Sequence, residues 1–307
     1  MSSIQLGTRG SKLAMWQSHW VKSELESRGH SVTLVQIKTQ GDIKTGPLAQ
    51  IGGQGLFTKQ LQVALLEKQI DLAVHSLKDL PTEDVEGLLI AAIPPRETTD
   101  DALCFPKGVA VSSLDDVPQG ATIGTGSVRR MAQILHLRPD LVIEDIRGNV
   151  DTRLEKLDSG QYDAIVLAAA GLTRLGLGER IGFRFDQQRL LPAVGQGALG
   201  LEVCADNQEI VAAVSELSHQ ESYSAALAER SMLKRLFAGC LAPVGARCRA
   251  ENGQLTLTGV VLGRDGKERI EVTDSAQVEA FAQLGIAVAE KLIAGGADKL
   301  LAAAKDS

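Results

Sequence analysis

The stretches "DLAVHSL" at 71–77 and "YDAIVLAAA" at 162–170 are apolar without alternation. Strands of this kind need cover on both faces, and where they alternate with helical patterns the cover comes from crossover helices on a mostly parallel sheet. The alternation occurs twice. In the first pass "SIQLGT" reads as a strand, "SKLAMWQSHWVKSELESRG" as a helix capped by Ser11 and stopped by Gly29, and "SVTLVQIKT" as a strand. "TKQLQVALLEKQ" follows, with Leu61, Ala64 and Leu65 at helical spacing. After the turn-rich "IPPRETTDDAL" the pattern restarts with strand "ATIGT", helix "GSVRRMAQILHLRP", strand "LVIEDI" and helix "VDTRLEKLDSG". The expectation is an α/β fold of two units, with crossings at 94–99 and 192–197 and with "RLLPAVGQGALGLEV" returning the chain to the first unit.

The last third changes character. "SYSAALAERSMLKRLF" is strongly helical, and Gly239 is expected to terminate it in the left-handed conformation. "QLTLTGVVLG", the turn "RDGK" and "ERIEVT" form an alternating hairpin, followed by the helix "AQVEAFAQLGIAVAEKLIAGG". This is a small α+β domain. The expected division is 1–94 with 195–215, then 95–194, then 216–307.

Composition narrows the function. Aromatic residues make up 3% of the 307 and the net charge is −6, so neither stacking platforms nor a basic surface for nucleic acid is available. No apolar run of about 18 residues suggests a membrane span, and "MSSIQLGTRG" lacks the pattern of a secretory signal. A cytoplasmic protein is expected, with its four cysteines as free thiols and no metal site.

Several cations fall at the ends of expected strands or the starts of helices: Arg9, Arg129, Arg130 and Arg147, with Arg153 one turn into the next helix. Helix N-termini present unpaired N–H groups, to which Ser11 and Ser127 add hydroxyls and arginine a planar fork for carboxylate or phosphate. Repeated placement at C-terminal strand ends, where open α/β sheets bind ligands, points to a cationic cleft inside an acidic protein. Lys78 and Asp79 lie just beyond a buried strand, either as a solvated turn before Pro81 or as an anion binder and a carboxylate aimed into the cleft. The loop "AGCLAPVGARC" places Cys240 between a helix end and Pro243, so its thiol is either filler or a nucleophile. Cys104 and Cys204 sit in apolar runs and are expected to pack.

Taken together, "TRGSKLAMWQ", "IGGQGLFTKQLQVALL", "DLAVHSLKDLPT", "GTGSVRR", "RGNVDTRLEKLDSGQYDAIVLAAAGLTRLG", "LPAVGQGALGLE" and "GCLAPVGA" resemble, in this order, the porphobilinogen deaminase family over nearly the whole chain. The resemblance implies two α/β domains like the lobes of periplasmic binding proteins and a small C-terminal α+β domain. It implies head-to-tail condensation of porphobilinogen units with loss of ammonia, then hydrolytic release of linear hydroxymethylbilane. The implied primer is a dipyrromethane cofactor attached through a thioether to Cys240, and the implied catalytic carboxylate is Asp79. By the same resemblance Lys78, Ser127, Arg129, Arg130 and Arg147 hold the cofactor, while Arg9, Ser11, Lys59, Arg153 and Arg174 hold the substrate. A monomer with no nucleic-acid or membrane partner is expected. Two other readings compete: a two-lobed anion sensor without catalysis, and a Schiff-base enzyme through Lys78. Against the latter, Asp79 is expected to keep the ammonium charged.

Two positions depart from the family pattern. Gln54 stands where the loop usually carries lysine, and Ala238 replaces a common glycine. Gln54→Lys restores a cation, with Lys59 nearby in sequence already supplying part of the charge. The expected outcome is a lower KM for porphobilinogen in steady-state assays; an unchanged or higher KM counts against a binding role for that position.

Overall fold

The computed structural model describes residues 1–37, 58–239 and 242–305. Strand β1 (Ser3–Thr8), helix α1 (Lys12–Ser27), β2 (Ser31–Gln36), α2 (Lys59–Leu66), β3 (Leu72–Ser76) and β4 (Leu88–Ala92) open the chain. Ser11 caps α1 by accepting from Ala14 N at 3.3 Å, and Gly29 behind the helix has φ 87°, the conformation its stop position calls for. Next come β5 (Asp101–Cys104), β6 (Thr122–Gly124), α3 (Val128–Leu137), β7 (Val142–Glu144), α4 (Val150–Asp158), β8 (Ala164–Ala168), α5 (Ala169–Arg174) and β9 (Phe183–Arg184). The chain then returns through β10 (Leu199–Cys204) and α6 (Gln208–Ser215).

The two resulting five-stranded sheets share one plan, with orders β2-β1-β3-β10-β4 and β7-β6-β8-β5-β9. In each, four strands run in one direction, three of them paired in parallel, and the strand that follows a crossing from the other sheet is inserted antiparallel. The helical crossovers cover the parallel strands, which is why Leu72, Ala73, Ile165 and Val166 can be buried without alternation. Strands β4, β5 and β9 are not separable from loop by sequence pattern, being short and lying beside turns.

The chain passes between the sheets at 93–100 and 185–198. These segments touch each other: a Cβ on Gly197 (φ 81°) would lie 2.4 Å from Glu97 O, and one on Gly195 (φ 71°) 3.2 Å from Lys78 N. Only glycine fits that geometry and that spacing.

A third sheet, antiparallel β11 (Val244–Glu251), β12 (Gln254–Leu262) and β13 (Arg269–Gln277), packs against α7 (Gln220–Arg235) and α8 (Phe281–Ala294), with α9 (Ala297–Lys305) behind them. Met232, Leu257, Val261, Leu284, Val288 and Leu292 form its core. Strand β11, a stretch to which sequence pattern assigns no element, has its backbone satisfied by pairing with β12. Two expectations change here. Ala276 and Gln277 end β13 rather than starting the last helix, because they pair with Leu255 and Gln254. The left-handed residue that ends α7 is Phe237, with φ 48°, in the place assigned to Gly239. It donates to Lys234 O at 3.1 Å, and Ala238 donates to Leu233 O at 3.3 Å, so the helix closes two residues early.

Buried charge joins the third unit to the crossings. Glu229 on α7 is fully buried and takes both terminal nitrogens of Arg96 at 2.9 Å, along with Gly195 N at 2.9 Å and Cys248 N at 3.0 Å. One carboxylate therefore ties both crossings to α7 and β11. Removing one member of a buried pair costs about 3–5 kcal/mol, whereas replacing both with apolar side chains costs less. Glu229→Gln is expected to lower unfolding free energy in urea by roughly that amount, and the double change Arg96→Met with Glu229→Leu by less than either single change.

Candidate functional site

Five of the six strands paired in parallel, all but β2, deliver a site residue at their carboxyl ends. β1 leads to Arg9 and Ser11, β3 to Lys78 and Asp79, β6 to Ser127, β7 to Arg147, and β8 to α5 with Arg174. The ends face one cavity of about 420 Å³ between the two sheets, lined by all of these and by Arg129, Arg130 and Arg153. Lys59 is exposed at the start of α2 and is not part of that lining. Cys240 and Gln54 lie outside the described residues. Gly239 and Ala242, on either side of the 240–241 gap, do line the cavity.

Asp79 closes a 3-10 turn, Leu77–Asp79, anchored by Leu77 N donating to Ala198 O at 3.0 Å. Its carboxylate is exposed in the cleft, and among the described residues no side chain hydrogen-bonds it. Lys78 is the opposite case. Burial pushes its ammonium down to about 8, Arg130 adds to the effect, and the opposing pull of Asp79 is smaller. Asp79 favours the charged form, as expected, but desolvation outweighs one neighbouring carboxylate, so the pKa falls while Lys78 stays mostly protonated at neutral pH. Gln196 Oε1, at 3.4 Å, is its hydrogen-bond acceptor.

Arg129 and Arg130 are buried, and their terminal nitrogens each meet Asp101 at 2.7 Å. Arg129 also donates to Leu191 O at 2.7 Å and Arg130 to Val166 O at 2.9 Å. Burial alone would raise the Asp101 carboxyl; the two guanidinium groups overcome this and hold it well below the usual range. The triad keeps one net positive charge beneath the cavity. Among the described residues Arg129 Nε is buried with no hydrogen-bond partner, which leaves a donor for an anion. Asp101 escapes a sequence reading because an acid opening a short strand gives no sign that two distant arginines converge on it.

In the same lobe, burial lowers Arg153 to about 10, with Arg130 and Arg147 adding like-charge repulsion, so it remains a cation at neutral pH. Its Nε donates to Gly148 O at 2.8 Å, and Arg147 Nε donates to Asp145 Oδ2 at 2.8 Å, which orients both forks. Arg174 donates to Gly197 O at 2.7 Å and sits 5.9 Å above the Trp16 ring. Ser11 and Ser127 cap α1 and α3, so both helix N-termini open on the cavity. His75 is buried against Glu202 at 2.9 Å and has a structural part. Cys104 is buried with its thiol pushed up to about 12, and Cys204 donates to Leu65 O at 3.1 Å, as packing residues should.

Fold and site together define a two-lobed α/β protein whose cleft is lined by cations beside the exposed carboxylate of Asp79. Similarity to known proteins carries this further. Residues 4–212 match the porphobilinogen deaminase dipyrromethane cofactor binding domain, and residues 223–294 match the porphobilinogen deaminase C-terminal domain. The chain belongs to the porphobilinogen deaminase family. It is 47% identical to the porphobilinogen deaminase of Geobacter metallireducens, covering 97% of this chain and 94% of that one. It is 45% identical to that of Prochlorococcus marinus, covering 98% and 96%. Among solved structures it is similar to the L-cystine solute receptor of Neisseria gonorrhoeae, at TM-score 0.42 and 11% identity over 78% of this chain and 94% of that one.

A bound carboxylate favours the charged form of Lys78, so ligand and proton bind together. As pH rises through about 8, the free cleft loses this cation, and affinity for a small dicarboxylate is expected to fall. Lys78→Arg should remove that alkaline limb from a calorimetric titration series, since guanidinium keeps its proton there.

Proposed function

We propose that this cleft carries out the transferase reaction of its family in tetrapyrrole biosynthesis through Asp79, acting on substrate held by the surrounding cations. The reaction condenses four porphobilinogen molecules head to tail with loss of ammonia, then releases linear hydroxymethylbilane by hydrolysis. The single observation that carries the assignment is that Asp79, the arginines and the residues flanking Cys240 share one cavity.

The residues present suit a dipyrromethane cofactor. Its acetate and propionate groups need several cations, and the lining offers Lys78, Arg147, the free Nε of Arg129 and the Ser127 helix terminus. When bound through Cys240, the cofactor supplies the electron-rich α-carbon that accepts the first substrate. The protein does the rest. Arg9, Ser11, Arg153 and Arg174 hold the incoming substrate by its carboxylates, which fixes the ring against Asp79. Loss of ammonia leaves positive charge on the substrate pyrrole, and the Asp79 carboxylate faces that charge at the pyrrole N–H. After the new carbon–carbon bond forms, the same carboxylate assists removal of the α-proton. The desolvated Lys78 meets one requirement of a Schiff-base lysine, yet this condensation presents no carbonyl for an amine to attack, so Lys78 serves as a carboxylate partner.

The proposed domain division is 1–94 with 195–215, 95–194 and 216–307, each centred on one sheet. The chain is proposed to act as a cytoplasmic monomer without nucleic-acid or membrane partners. A net charge of −6 disfavours phosphate backbones, and a thiol that must stay free for attachment suits a reducing compartment. Among the described residues no single helix is long and apolar enough to cross a membrane.

Intact-mass spectrometry tests the assignment. The wild-type chain from a host with a working pathway is expected to carry a two-pyrrole adduct that Cys240→Ala lacks. Asp79→Asn is expected to keep the adduct while losing nearly all turnover. An unmodified wild-type mass with full anion affinity would instead support a binding protein, and substantial turnover in Asp79→Asn would remove Asp79 from the chemistry.

A further inference from the structure

The turn that presents Asp79 is gripped from behind by the third unit. Arg230 on α7 is partly buried, and its Nη1 donates to Leu80 O at 2.8 Å while its Nη2 donates to Pro81 O at 2.7 Å. These carbonyls belong to the two residues directly after Asp79. The same helix also packs the turn on its apolar side: Leu77 and Leu80 are buried in a cluster with Ala226, Tyr223 and Leu227. Further along, Lys234 pairs with Asp84. Helix α7 then ends at Arg235, five residues before Cys240.

We propose that Arg230 is a positioning residue that fixes Asp79 relative to the Cys240 end of α7, so that the carboxylate and the tethered chain keep one geometry. This rests on the function proposed above. With no side chain hydrogen-bonding the Asp79 carboxylate among the described residues, its aim depends on the turn's backbone. A planar fork spanning two successive carbonyls removes the rotation that a single hydrogen bond would leave. Burial lowers the Arg230 pKa, with Glu202 and Asp84 opposing, but guanidinium keeps its charge at neutral pH and each bond to a carbonyl stays charge-assisted. Misplacement of a reacting group by about 1 Å costs on the order of 100-fold in rate, so a loosened turn affects kcat before it affects binding.

The test is Arg230→Lys, which keeps the charge but reaches one carbonyl at a time. The expected result is an intact two-pyrrole adduct by mass, KM for porphobilinogen within about twofold of wild type, and kcat lower by about 10–100-fold. The same change is then made in Asp79→Asn. If Arg230 acts through Asp79, it causes no further loss of the residual turnover there. Equal fold losses in both backgrounds would show a general structural role and overturn the proposal, as would an unchanged kcat in Arg230→Lys. If Arg230→Lys fails to fold, Arg230→Gln, which can donate to one carbonyl only, replaces it. A kcat loss that vanishes in Asp79→Asn is again expected, and no loss overturns the coupling. Absence of the adduct in the wild type would strike at the proposed function rather than at this coupling.

Discussion

A cleft between two lobes keeps its shape only if the segments that cross between them are held, and here buried charge holds them. Glu229 binds Arg96 of the first crossing and Gly195 N of the second, while Asp101 binds Arg129, Arg130 and Gln196 just beyond the first. Gln196 in turn donates to Thr99 O at 2.7 Å, so each crossing is bonded to the other. Isolated charges at such depth would be prohibitive, and each carboxylate is accordingly surrounded by donors. Specificity of arrangement, more than net stability, is what such networks supply.

The same pairing explains the site's electrostatics. Arg129 and Arg130 look from their sequence position like two ligand forks, but one carboxylate occupies most of their donors. Their remaining charge still acts across the cavity: it depresses Lys78 and, from Arg130, Arg153. The cations of the cleft thus repel one another, most clearly at Lys78 and Arg153. Lys12 and Asp151 form an exposed pair at 2.9 Å between α1 and α4 at the cavity lining, and an exposed pair of this kind adds only about 0–1 kcal/mol, so it does little to resist separation of the lobes.

The site was legible to the extent that its residues follow strands or open helices. Arg9, Ser11, Lys78, Asp79, Ser127 and Arg147 each follow a strand whose apolar run ends visibly, and parallel topology sends all such ends to one edge. Asp101, Gln196, Glu229 and Arg230 were not legible. Each acts on partners 19 to 150 residues away, through contacts that no local pattern records.

Sequence alone determined the two α/β units, the small third unit, the cap of α1 and the resemblance to one family, because periodicity and capping are local properties of the chain. Only the tertiary structure decided that Phe237 ends α7 in place of Gly239, that burial outweighs Asp79 at Lys78, and that α7 bonds the backbone just after the Leu77–Asp79 turn. Those outcomes depend on desolvation and on carbonyls and carboxylates brought together by folding, and neither exists until the chain is packed.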